Sequence, residues 1–314
     1  MVDAVTIHFP KKYCEGFSCS FSKIKRQDIN TFSGSLGPLK VFHSLAGITI
    51  TGSLPKYLYG ENVTMLDTLT TQVAINILGQ ETGLNMRHGL VCKIEVGKNL
   101  FTQRPPAEYL SLFGYSGRYM RAEYTKPKGT ETVHYYNQKG DFQFILYDKG
   151  LESTGRIPKQ YEGLNILRAE YRAMHAKGIR RKFGQNLSAF DLGQEDVFNE
   201  LERQFLEFYY SIPKMGKEII MANGNITSAQ FEKIIAERFR QSNPKEYLDI
   251  LQSLKLQGKI DKVNLCRIRA RERQSDKGFK WQDNSPLIQE LDTLIKGGKI
   301  GQDKYYPLRL VKTA

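Results

Sequence analysis

Cysteine is scarce in this 314-residue chain and badly placed for chemistry. Cys14, Cys19, Cys92 and Cys266 form no Cys-x-x-Cys pair and no cluster with histidine. That argues against a structural zinc site and fits idle thiols in a reducing compartment. The five histidines are scattered. No run approaches the roughly 18 apolar residues of a membrane span. The first residues, MVDAVTIHFPKKY, lack the long apolar core of a signal peptide, so a cytoplasmic protein with no membrane partner is expected. There is no GxxxxGK[ST], GxGxxG or HExxH motif, which leaves nucleotide hydrolysis and zincin chemistry without a basis. Internal repeats and low-complexity tracts are also missing.

Positive charge and apolar content are plentiful. The formal net charge is +13, which favours a polyanionic partner through counterion release and steering. A hydrophobic fraction of 40% supports a packed core.

Val5, Ile7 and Phe9 alternate as a first strand, and residues 46–53 read as a second. Asn62 is placed to cap a helix over 63–78. Residues 89–97 form another strand, with Cys92, Ile94 and Val96 on one face and Val91, Lys93 and Glu95 on the other. Pro105-Pro106 opens a short helix. Strands follow at 117–125, 131–137 and 142–148, the last two joined by the turn Asn137–Gly140, and a further strand covers 165–174. Beyond Gly193 the pattern turns helical: 194–210, then a helix from a capping box at Thr227, one opened by Asn243-Pro244 and one opened by Ser285-Pro286. The expected fold is α+β, a mainly antiparallel central sheet with flanking helices. A boundary at 212–226 separates a catalytic domain, 1–211, from a smaller helical domain, 227–314, that binds DNA or a partner.

The residues with chemistry concentrate on two strands. In FQFILYDKGLE, residues 142–152, Tyr147 and Lys149 share one face while Phe142, Phe144 and Leu146 share the other. A tyrosine nucleophile needs its charge stabilised, since forming a phenolate at neutral pH costs about 4 kcal/mol. A neighbouring lysine and a divalent cation do this. In ILRAEYR, residues 166–172, Arg168, Glu170 and Arg172 share a face. Glu95, Glu170 and Glu152 are the candidate oxygen ligands for Mg²⁺ or Mn²⁺. Arg168 and Arg172, with Arg180, Arg181 and Lys182 of KGIRRKFG, are candidate phosphate contacts, as are Arg267, Arg269 and Arg271 of RIRARER. His134 is a candidate metal nitrogen. An ordinary strand tyrosine and solvated charged faces explain the same residues more blandly.

Four segments together resemble the replication initiators of filamentous phages, the gene II protein family, and more distantly the rolling-circle plasmid initiators. They are GSLPKYLYGENV at 52–63, VCKIEV at 91–96, FILYDKGLE at 144–152, and LRAEYR followed by KFG within 167–184. The likeness covers residues 45–190. It implies a fold like that of the HUH-type nicking enzymes, without a His-x-His pair. It implies a strand-specific nick in single-stranded or supercoiled origin DNA within a bacterial cell. Tyr147 would attack phosphorus, hold the 5′ phosphate covalently and leave a 3′-hydroxyl as primer, with metal assistance. A host helicase is a further implied partner. A mobilisation relaxase, and an origin-binding protein or repressor without enzymatic activity, are the rival readings.

Overall fold

Period-two alternation decides most of the architecture. The computed structural model describes residues 1–18, 21, 23–26, 31–126, 130–214, 243–278 and 285–297, with single positions between 228 and 240. In β1 (Val2–Pro10), Val5, Ile7 and Phe9 are buried while Thr6 and His8 are half-buried. It lies at the middle of a ten-stranded sheet with β2 (Lys23–Arg26), β3 (Phe32–Leu36), β4 (Leu39–Ser44), β5 (Gly47–Ser53), β6 (Leu90–Phe101), β7 (Met120–Lys126), β8 (Thr130–Tyr136), β9 (Phe142–Asp148) and β10 (Ile166–Ala173). The order is β2-β3-β4-β5-β1-β6-β10-β9-β8-β7, and every pairing is antiparallel. The expected α+β class with a mainly antiparallel sheet is what forms. The β4–β5 turn requires glycine, because Gly47 has φ +136° and a Cβ there would fall 2.0 Å from the Phe9 carbonyl oxygen.

One face of the sheet is dry. Phe9, Ile7, Ile50, Val41, Ile94, Val96, Tyr171, Phe144 and Tyr135 are buried there. Among the described residues, much of the other half of this core comes from α2 (Thr68–Thr82) with Ala74, Ile75 and Leu78, α6 (Glu195–Ser211) with Leu201, Phe205 and Phe208, and α9 (Pro286–Ile295) with Ile288, Leu291 and Ile295. Each large apolar side chain buried here contributes about 1.5–3 kcal/mol. The opposite face carries the polar rows, covered at one end by a small cluster of Val63, Tyr161 and Ile166.

Several elements depart from expectation for local reasons. Residues 63–78 are not one helix. Ser53 caps a short α1 (Leu54–Tyr59), and α2 starts only at Thr68, where Asp67 and Thr70 form a reciprocal capping box. Residues 60–66 between them lie over the sheet instead. In β6 the pairing slips by one residue, with Val91 opposite Ile7 and Ile94 opposite Val5. This bulge turns Val91 into the core beside Ile94, away from Lys93. The final helix, α9, packs against the sheet and its helices. Tyr109 of α3 (Pro106–Leu110) donates to Glu290 (2.6 Å), Tyr209 to Asp292 (2.7 Å) and Lys98 to the Ile295 carbonyl (2.7 Å), all from the sheet domain. The described residues between α6 and α9 include two helices, α7 (Pro244–Leu256) and α8 (Lys262–Gly278). The capping box expected at Thr227 lies outside the described residues.

Candidate active site

Strand register brings the candidate residues of β9 and β10 together. Tyr147 sits opposite Arg168, Ile145 opposite Glu170, and Gln143 opposite Arg172. On the far side of β10, Arg168 faces Asn99 and Arg172 faces Glu95. Side chains at paired positions share a face, so Tyr147, Arg168, Glu170, Arg172 and Glu95 form one polar field.

Glu170 is its centre. Its Oε1 accepts from the Tyr147 hydroxyl (2.7 Å) and from Arg168 Nε (2.7 Å), and its Oε2 accepts from Arg172 Nη2 (2.5 Å). Arg172 Nε also lies 3.5 Å from Glu95, which is paired with Lys93 (2.5 Å). Arg168 is fully buried. It is held by Asp3, by the Asn62 carbonyl (3.0 Å) and by Asn99 Oδ1 (3.0 Å). Asn99 in turn donates to the Val63 carbonyl (2.6 Å), so residues 62–63 clamp this end through their backbone. Asp3 reaches the network because β1 bulges between Val2 and Val5, and Ser53 donates to it at 2.7 Å.

The electrostatics follow from that geometry. Burial and the adjacent Glu170 carboxylate hold the Tyr147 phenol well above its ordinary pKa, so it is a firm hydrogen-bond donor. Burial pushes the Glu170 carboxyl up, but Arg168, Arg172 and the Tyr147 hydroxyl outweigh it and hold the group well below the usual carboxylate range. An isolated buried ion would be destabilised by several kcal/mol, and these mutual contacts offset that penalty. Thr132 lies opposite Tyr147 on β8, and its buried hydroxyl has no hydrogen-bond partner among the described residues.

Other expected site residues fall elsewhere. Lys149 does not continue the strand. Asp148 caps α4 (Lys149–Glu152), and Lys149 is buried there against Glu152 (2.8 Å). Burial, reinforced by the Arg168 charge, lowers the Lys149 pKa, whereas Glu152 is lowered to about 2 because Lys149 outweighs its own burial. Lys149 is the deeper partner of the pair and loses more hydration. Arg168 cannot clamp phosphate, because it is inaccessible and its donors are engaged. Arg180, Arg181 and Lys182 lie in α5 (Ala176–Phe183), which packs on the helix-covered side through Ile179. Arg267 and Arg269 are exposed on α8, and the Arg271 side chain lies outside the described residues. His134 is half-buried between Tyr124 and Tyr136.

The three expected metal ligands do not fit a divalent cation in this arrangement. Both Glu170 oxygens face guanidinium groups, Glu95 carries Lys93 and Arg172, and Glu152 is held by Lys149. A second positive ion would meet like charge at each. No group of three or more His, Cys, Asp or Glu is gathered as a metal site among the described residues. Sequence reasoning missed Asp3 and Asn99. The signal that marked Asp3 is that it is the one acid in the first strand.

No family model matches the chain, and no curated protein is significantly similar to it. Among solved structures, a rolling circle replication initiator protein from Geobacillus stearothermophilus is similar at a TM-score of 0.38 and 10% identity, over 75% of this chain and 95% of that one. A likeness of that order leaves the functional reading to the residues themselves.

Proposed function

We propose that the protein is a rolling-circle replication initiator that cuts and rejoins one DNA strand, with Tyr147 as the nucleophile. The observation that carries this reading is the Tyr147–Glu170 hydrogen bond, flanked by one sealed arginine and one solvent-reaching arginine. The Arg172 side chain is 24% exposed, so a DNA phosphate reaches the network through it. A phosphate that draws Arg172 away removes one of the charges that keep Glu170 ionised. The carboxylate then gains proton affinity as the electrophile arrives. The phenol proton passes to Glu170, the Oη–P bond forms and the P–O3′ bond breaks. The departing 3′ oxygen takes up a proton from water. Reversal rejoins the strand, and the phosphotyrosine retains the bond energy so that no nucleotide is consumed.

The test is covalent capture of single-stranded DNA from the intergenic region of the protein's own replicon, read on a denaturing gel. Wild type forms the adduct. Tyr147→Phe loses it and keeps non-covalent binding. An adduct that survives in the Phe variant refutes the assignment.

The burial of Tyr147 and the engagement of its hydroxyl favour a second reading, in which the network is architectural and the protein binds the origin without cutting it. In that case no adduct forms with wild type under any condition.

A further inference from the structure

The cationic segment 177–182 has no part in the Tyr147 network, because the fold sends it to the other side of the sheet. Gly178 of α5 abuts Phe142, and a Cβ there would lie 3.3 Å from that ring. Phe142 stacks on Tyr171, whose hydroxyl bonds Gln204 of α6, so this is the helix-covered side. Ile179 is buried, while Lys177, Arg180, Arg181 and Lys182 are exposed. The β8–β9 turn adds exposed Lys139, and its Asp141 ties turn to helix by accepting from Arg181 (2.9 Å) and Met174 N (2.8 Å). The acids facing this ridge are Asp141 and Glu200, the latter within the field of Lys182.

We infer that the ridge formed by α5 and the β8–β9 turn binds the sugar–phosphate backbone of duplex DNA, as a second contact separate from the strand handled at Tyr147. The inference rests on the replication-initiator reading for the identity of the polyanion. Three features select the duplex. The cations stand on a helix and on a turn hydrogen-bonded to it, spaced along about 8 Å of axis, which suits a row of phosphates. Single strands are held by stacking on exposed aromatics, and neither aromatic at the ridge is free for that: Phe142 is 8% exposed with Arg181 and Lys182 above its ring, and Phe183 at the end of α5 packs against the core. Anionic membranes need apolar side chains to insert, and Ile179 points inward.

The test compares wild type with a Lys177→Gln, Arg180→Gln, Lys182→Gln variant, which spares the Arg181–Asp141 pair. Binding of a short random-sequence duplex and of oligothymidine is measured across a potassium chloride series. For the duplex, the slope of log affinity against log salt shrinks by about 2–3, and affinity at the lowest salt falls at least tenfold. Oligothymidine binding and its slope stay at the wild-type values. An unchanged duplex slope overturns the inference. So do equal losses for both probes, or a wild type without duplex affinity. Should the triple variant fail to fold, Arg180→Gln alone carries the test, with a slope change of about 0.9 for the duplex only. No cleavage is read, so these outcomes are independent of Tyr147→Phe, which bears on the adduct alone.

Discussion

Tyr147 stands directly opposite Arg168 in the sheet, yet its hydroxyl donates to Glu170, the diagonal neighbour on β10, at 2.7 Å. Diagonal pairs of long side chains lie within reach across antiparallel strands. The offset matters because it leaves Arg168 free to bond the same oxygen of Glu170 from beside the phenol. The tyrosine, the acid and the buried arginine are therefore one unit, and Arg172 is the member that meets solvent.

Arg168 and Arg172 are expected to separate stability from DNA handling. Arg168→Gln leaves Asp3 and Glu170 short of a partner in a sealed site and destabilises the protein by about 3–5 kcal/mol. Arg172→Gln leaves Glu170 with Arg168 and the Tyr147 hydroxyl and costs less, about 1.5–3 kcal/mol. It weakens adduct formation by tenfold or more while non-covalent binding changes little. Denaturant titration and adduct yield at matched folded fraction check both. Equal stability losses would contradict the buried and mouth positions assigned to the two arginines.

Acid sensitivity follows from the lowered carboxyl groups. Glu152 is held to about 2 and Glu170 also lies below its ordinary range. A depressed folded pKa contributes stability that is complete above the unfolded value, about 4.3, and is lost as pH falls toward the folded value. Stability is thus expected to drop between about pH 4.5 and pH 2. In Glu152→Gln the denaturant midpoint falls less across this window than in wild type. A parallel curve for the variant would show that Glu152 does not titrate with folding.

Magnesium or manganese is expected to leave thermal stability unchanged. A ligand that binds only the native state raises stability by an amount that grows with the logarithm of its concentration above Kd, and the expected ligands are already engaged by lysine and arginine. Melting curves with either metal and with a chelator overlay one another. A metal-dependent rise in melting temperature that disappears in Glu170→Gln would place a cation at this acid after all.

How much of this was legible before folding varies by element. The alternation in β1, β5, β6, β9 and β10 is strong, and it put Tyr147 and the 168, 170 and 172 row on polar faces. The hairpins of residues 23–44 were not legible, because segments such as FSGSL carry few apolar residues and little period-two contrast. Bulges at Asp3 and in β6 were hidden too, since a one-residue slip leaves no mark in composition. Most consequential was the burial of Arg168. Its partners Asp3 and Asn62 lie 165 and 106 residues away, and the polar-looking row gives no hint that one of its members is sealed. The basic run 177–182 was recognisable as charge, but its side of the sheet was set by Ile179 and Phe142.

The place of α9 in the core yields a sharp contrast with the helical pair that precedes it. Leu291 is fully buried among the sheet-domain residues, whereas Leu256 at the end of α7 is 80% exposed. Truncating a buried leucine removes its transfer energy and leaves a cavity, so Leu291→Ala is expected to cost about 2–5 kcal/mol. Leu256→Ala stays within about 0.5 kcal/mol of wild type. Both are read from denaturant midpoints monitored through the tyrosine-rich sheet core. If α9 instead belonged to an independent helical unit, Leu291→Ala would leave the sheet transition in place and introduce a separate earlier one. A single shifted transition identifies α9 as part of the body that holds Tyr147, anchored through Glu290 to Tyr109 and Asp292 to Tyr209.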